Sequence, residues 1–153
     1  MSRVVIDYEG IEEMAHDPDG PVYRIMEAAA YAVENRAKEL VLAPGTGREY
    51  SFEWRTAKDG HVFETKIPRP THRASAPGEP PASDYGDLLA SIGHSVDIGA
   101  AITGTVYASA RYAIWLELGH GLGRGGIDGW VAERPFLRPA LDAVSEVDGM
   151  IEL

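Results

Sequence analysis

The 153-residue chain has the length of one ordinary domain, and its 44% hydrophobic content excludes a wholly disordered polymer. Twenty-four acidic residues against fourteen basic ones leave a net charge of -10, which argues against general coating of a phosphate backbone. With no cysteine in the chain, disulfide frameworks, thiolate metal sites and cysteine nucleophiles are excluded as well.

The opening run Val4-Val5-Ile6 is followed at once by Asp7, far short of a signal-peptide core. No apolar run approaches the roughly 20 residues that cross a bilayer. The protein is expected to be made and used inside a cell, or released by lysis, with no membrane partner. Charge divides the chain into three: residues 1–42 hold nine acids and four bases, and 84–153 hold ten and four. The middle, 43–83, holds five acids and six bases, and five of the ten prolines fall between Pro68 and Pro81. It reads as a hairpin and proline-rich arm inserted between the two halves of one domain, 1–153.

Asp19-Gly20-Pro21 predicts a helix start, with proline at a first helical position. Val22, Ile25, Met26, Ala29, Val33, Ala37, Leu40 and Val41 then form one helical stripe that breaks at Ala43-Pro44-Gly45. From Glu49 to Arg55, Tyr50, Phe52 and Trp54 alternate with polar residues at strand period; Ala57-Lys58-Asp59-Gly60 is a turn, and His61–Ile67 the returning strand. The aromatic face must be buried, either on its own domain or on another subunit. Residues 66–82, rich in proline, are expected to be extended, partly polyproline-like and mobile until something binds them.

Ser83 is expected to cap a short helix carrying Tyr85, Leu88, Leu89 and Ile92, ended by Gly93. Two short strands follow, His94–Ile98 and Ile102–Ser109, joined as a second hairpin. A helix from about Ala110 to Leu118 presents Tyr112, Trp115 and Leu116 on one side and stops at Gly119. The last helix must start near Phe136, because Pro139 is tolerated only in a first turn; Leu137, Leu141 and Val144 line its buried face. The fold class is α+β: a small mixed sheet, a long N-terminal helix, two shorter helices and a protruding hairpin and arm.

Chemistry-bearing patterns are weak. Gly121-Leu122-Gly123-Arg124-Gly125-Gly126 matches G-x-G-x-x-G, but a helix precedes it and none opens within it, so it reads as a flexible loop. Ala43–Arg48 lacks the Gly-Lys-Ser/Thr of a phosphate loop. His16, His61, His72, His94 and His120 are scattered singly, without metal-ligand spacing. Asp84 and Asp87 fall near a helix start, where acids complement the dipole. No catalytic, cofactor-binding or metal-ligating set emerges, and no cofactor is expected. The one basic run, Lys66, Arg69, His72 and Arg73, suits contact with a protein more than with nucleic acid.

Two segments carry a family resemblance. The first runs from His72 to Ile92 and contains Ala74-Ser75-Ala76-Pro77-Gly78-Glu79-Pro80-Pro81-Ala82 and then Gly86, Leu88, Ser91 and Ile92. The second comprises Tyr112-Ala113, Glu117-Leu118-Gly119 and Arg134-Pro135-Phe136-Leu137-Arg138-Pro139-Ala140-Leu141. Together they resemble the head–tail joining (neck, or tail-completion) proteins of long-tailed double-stranded-DNA bacteriophages. Tyr85, Asp87 and His120 depart from the residues usual there: threonine, arginine and threonine.

The resemblance implies a structural, non-enzymatic virion protein, synthesised in the host cytoplasm and placed at the head–tail junction. It implies a homo-oligomeric ring, six- or twelve-fold, that contacts head-completion and tail-tube or terminator proteins while DNA passes through unbound. Such a ring needs two complementary lateral faces, and acids lining its channel would let DNA slide. Candidate subunit contacts are Tyr50, Phe52 and Trp54 of the hairpin and Arg69, His72 and Arg73 of the arm. Glu117, Arg134, Phe136 and Arg138 read as structural, a helix-end acid near two arginines with Phe136 buried. Three alternatives stand beside this: a tail terminator capping the tail tube, a small cytoplasmic hydrolase using His94 or His120 with nearby acids such as Asp128, and a nucleic-acid-binding accessory protein acting through 66–73.

Overall fold

The computed structural model describes residues 16–99, 101–121 and 130–148. It is an α+β fold in which one long helix, α1 (Pro21–Leu42), lies across a β-hairpin and against the C-terminal helix. The elements after α1 are β1 (Glu49–Thr56), β2 (Val62–Arg73), α2 (Asp87–Ser91), β3 (Ile92–Ile98) and β4 (Ile102–Ala108). They are followed by α3 (Ala113–Leu118), β5 (His120–Gly121), β6 (Trp130–Val131) and α4 (Leu137–Asp148). In place of a mixed sheet, the described strands form three separate antiparallel pairs, β1–β2, β3–β4 and β5–β6.

Helix α1 starts where the turn signal places it, with Pro21 at its first position. It ends where Ala43, the residue before Pro44, is extended, as proline demands of its predecessor. Ala30, Val33, Ala37 and Val41 are its buried apolar positions, with Glu34 buried beside them. Val22 and Ile25, the start of the expected stripe, are exposed. The core joins α1 to Leu88, Ile92, Ala113, Phe136 and Ala140, and Phe136 and Val41 are its largest fully buried side chains.

The β3–β4 hairpin keeps one register from Ile92↔Ala108 to Ile98↔Ile102. Its inward face carries Gly104, where a Cβ would lie 2.9 Å from Met26 Sδ, together with Val106 and Ala108, which pack on the core. The strand period read from the sequence holds here.

Three local expectations are corrected. Helix α2 begins at Asp87, with Gly86 in a left-handed conformation as its N-cap, so Ser83 caps nothing; instead the Ser83 amide donates to the Val41 carbonyl at 2.9 Å, tying the loop to the end of α1. Ile92 and Gly93 belong to β3, since helical geometry ends as soon as cross-strand bonds become available. On α3 the inward residues are Ala113 and Leu116, while Trp115 points outward; on α4 they are Leu137, Ala140 and Val144, while Leu141 is exposed. Alanine at one inward position of each helix, Ala113 and Ala140, lets the short helices approach closely.

The segment expected to be a mobile arm is ordered. β2 runs unbroken to Arg73 and includes Pro68 and Pro70. A two-stranded ribbon has no central strand, and the pairing steps from Trp54↔Glu64 to Phe52↔Pro68 to Tyr50↔His72, so β2 spends four residues for every two of β1. These irregularities take up residues that cannot donate to the ladder. Beyond Arg73 the chain folds back onto the body. The Glu79 carboxylate accepts from the Thr46 hydroxyl, from the Thr46 amide at 3.1 Å and from the Ala76 amide at 2.8 Å. The Gly78 amide donates to the Glu133 carbonyl.

Candidate subunit-contact surfaces

The β1–β2 ribbon protrudes: it packs extensively on no other described element. Its turn is closed by Ala57 donating to the His61 carbonyl at 2.8 Å and by the Asp59 carboxylate accepting from the His61 amide. Val62 and Phe63 near the tip, and Ile67 further down, are exposed. At the root Gly47 donates to the Ala74 carbonyl and Ala74 to the Arg48 carbonyl. A Cβ on Gly45 would lie 2.3 Å from the Ala74 oxygen, so only glycine permits this approach.

The sequence-derived contact residues divide along the ribbon. Tyr50, His72 and Arg73 lie at its root and engage their own chain. The Arg48 guanidinium stacks over the Tyr50 ring at 5.2 Å, His72 Nδ1 lies 3.8 Å from Asp84, and Arg73 pairs with the facing Glu49 at 3.0 Å. Phe52 and Trp54 occupy the register positions opposite Pro68 and Glu64, and Arg69 follows Pro68 on β2; their side chains lie outside the described residues.

A second surface surrounds α3. Ile114 and Leu118 are 59% and 63% exposed and line a groove of about 330 Å³ with Tyr107, Ala108 and Leu137. Trp130 beside it is 69% exposed. Trp115 lies against the His120 ring at 5.7 Å. Gly119 turns the chain between these groups at φ 69°, a left-handed backbone that glycine adopts without strain.

Glu117, which also lines this groove, ties α3 to α4. Its carboxylate accepts the amides of Phe136 at 2.9 Å, Leu137 at 3.1 Å and Arg138 at 3.0 Å. A carboxylate here satisfies donors that a helix start leaves open and complements its dipole. The structural role read for Glu117 thus acts through backbone amides rather than arginine head groups; Arg134 donates to the Ala132 carbonyl.

One cluster escaped the sequence reading. Glu34, buried on α1, receives a hydrogen bond from Lys38 Nζ through one oxygen and pairs with His94 Nδ1 of β3 through the other. Tyr31 packs edge-on against the His94 ring at 6.0 Å. The bonds from His94 and then Lys38 hold the Glu34 carboxyl below its ordinary value, against an opposing effect of burial. Glu34 and Lys38 stand at i and i+4 on one helix, whereas His94 is sixty residues away in the chain. Asp128 lies outside the described residues, and among those described no group of three His, Cys, Asp or Glu could hold a metal. No described helix is long and apolar enough to cross a membrane.

Comparison with family models, curated proteins and solved structures finds no match for this chain.

Proposed function

We propose that this chain is a structural subunit of an oligomeric ring at the head–tail junction of a tailed bacteriophage, where it joins the tail to the DNA-filled head. The observation that carries the oligomeric half of this reading is an inverted balance of apolar side chains. Sixteen large hydrophobic residues are exposed among those described, whereas the buried hydrophobic core has nine members, four of them alanine. A subunit that buries such side chains against neighbours accounts for this balance better than a lone soluble one does. The neck assignment rests on the paired motifs at 72–92 and 112–141. Glu117 and Phe136, two residues of the second motif, meet in one helix cap.

Complementation tests the reading. Infection with a phage lacking this protein should accumulate filled heads and separate tails of normal length, and adding the purified chain to that lysate should join them. Overlong tail tubes would favour the tail terminator, since an uncapped tube keeps growing. Normal infectious particles made without the protein would overturn both.

A further inference from the structure

We propose that the β1–β2 ribbon of one copy docks in the α3 groove of the next, placing Phe63 against Tyr107, Ile114 and Leu118. The inference deepens the ring reading and rests on it. Val62 and Phe63 are neighbours on a strand, so they project to opposite faces of the ribbon, and both are exposed. The ribbon packs extensively on no other described element, so the face that carries Phe63 is left uncovered by its own body. A two-stranded ribbon alone is marginal in water, and each strand leaves an unpaired edge. The groove has the matching character: Tyr107, Ile114, Leu118 and Leu137 line it, with Glu117 its one charged residue.

Charge selects the occupant. Residues 49–73 hold five basic and four acidic residues, whereas the rest of the chain holds nine basic and twenty acidic. A ribbon laid on a neighbouring body therefore meets attraction, while two bodies meeting groove to groove repel. Ribbon and groove are different surfaces of one molecule, so the contact is head-to-tail, the arrangement that closes into rings.

The cysteine-free chain makes the test direct. The full-length double variant Phe63→Cys with Leu118→Cys, oxidised at high protein concentration, should give a disulfide-linked ladder of dimers, trimers and larger species. Each single variant should stay largely monomeric, since neither surface meets its own copy, and raised salt should reduce the ladder by screening the attraction. Should that variant fail to fold, Phe63→Cys with Ile114→Cys probes the same contact. Absence of species beyond dimers in a folded double variant overturns the docking, as does efficient dimerisation of Leu118→Cys alone, which would mean that grooves meet each other. A missing ladder from a chain that still joins heads to tails removes the docking and leaves the neck reading standing. A ladder from a chain that fails to join them supports the docking and removes the neck.

Discussion

The Glu117 carboxylate accepts the Phe136 backbone amide at 2.9 Å, and two more amides of the same helix start, across nineteen residues of chain. This one side chain substitutes for a local N-cap on α4 and holds Phe136 in the core, where it is fully buried. Glu117→Ala should cost about 2–3 kcal/mol, because three amides lose a charged acceptor. Glu117→Gln, which keeps one acceptor oxygen, should recover part of that. Denaturant unfolding of both variants checks the order; equal loss in the two would mean that the charge, rather than the acceptor geometry, carries the cap.

Phe136 is the larger of the two biggest fully buried side chains. Replacing it by alanine should destabilise the fold by about 3–5 kcal/mol, a large share of what a domain of this size has. Circular dichroism during urea titration should show the midpoint displaced strongly downward. A shift comparable with that of an exposed Leu141→Ala variant would contradict the core described above.

Acid should act through Glu34. Its folded-state value lies below the ordinary 4.5, held down by His94 and then Lys38. The ionised group therefore contributes its stability fully above that value, and the contribution is lost as pH falls through the lowered folded value. Glu79, held down by the Thr46 hydroxyl and by the amides of Ala76 and Thr46, acts in the same direction. Glu34→Gln should flatten the decline in unfolding midpoint below pH 4.5. An unchanged acid limb would show that the pairing contributes nothing to stability.

Gly45 is held against the backbone of Ala74 too closely for a side chain. Gly45→Ala should force the ribbon root apart, at a cost of roughly 1–3 kcal/mol. Limited proteolysis should then cut within 74–83 faster than in the parent chain, while α1 stays protected. Unaltered cleavage would place the flexibility elsewhere.

What the sequence revealed follows the range of the interactions concerned. Helix α1, both long hairpins and the proline-limited start of α4 were legible, because turn chemistry and apolar period act within a few residues. Which face of α3 and α4 turns inward was not, because Trp115 and Leu141 satisfy the same period as the inward Leu116 and Val144. Proline content at 66–73 suggested a loose arm; a two-stranded ribbon tolerates proline where a wider sheet does not. Of the contact residues read from the sequence, Tyr50, His72 and Arg73 prove to be bonded at the ribbon root, and the α3 groove was missed. The groove and the His94–Glu34 pair share one reason: both bring together residues far apart in the chain, and no local pattern announces that.

The most direct measurement is electron microscopy of intact phage particles labelled with antibody against this protein. The account expects label at the junction of head and tail on each particle. Label elsewhere on the tail would keep the virion role and move the ring. No label on any intact particle, with the protein abundant in the same lysate, would contradict the assignment.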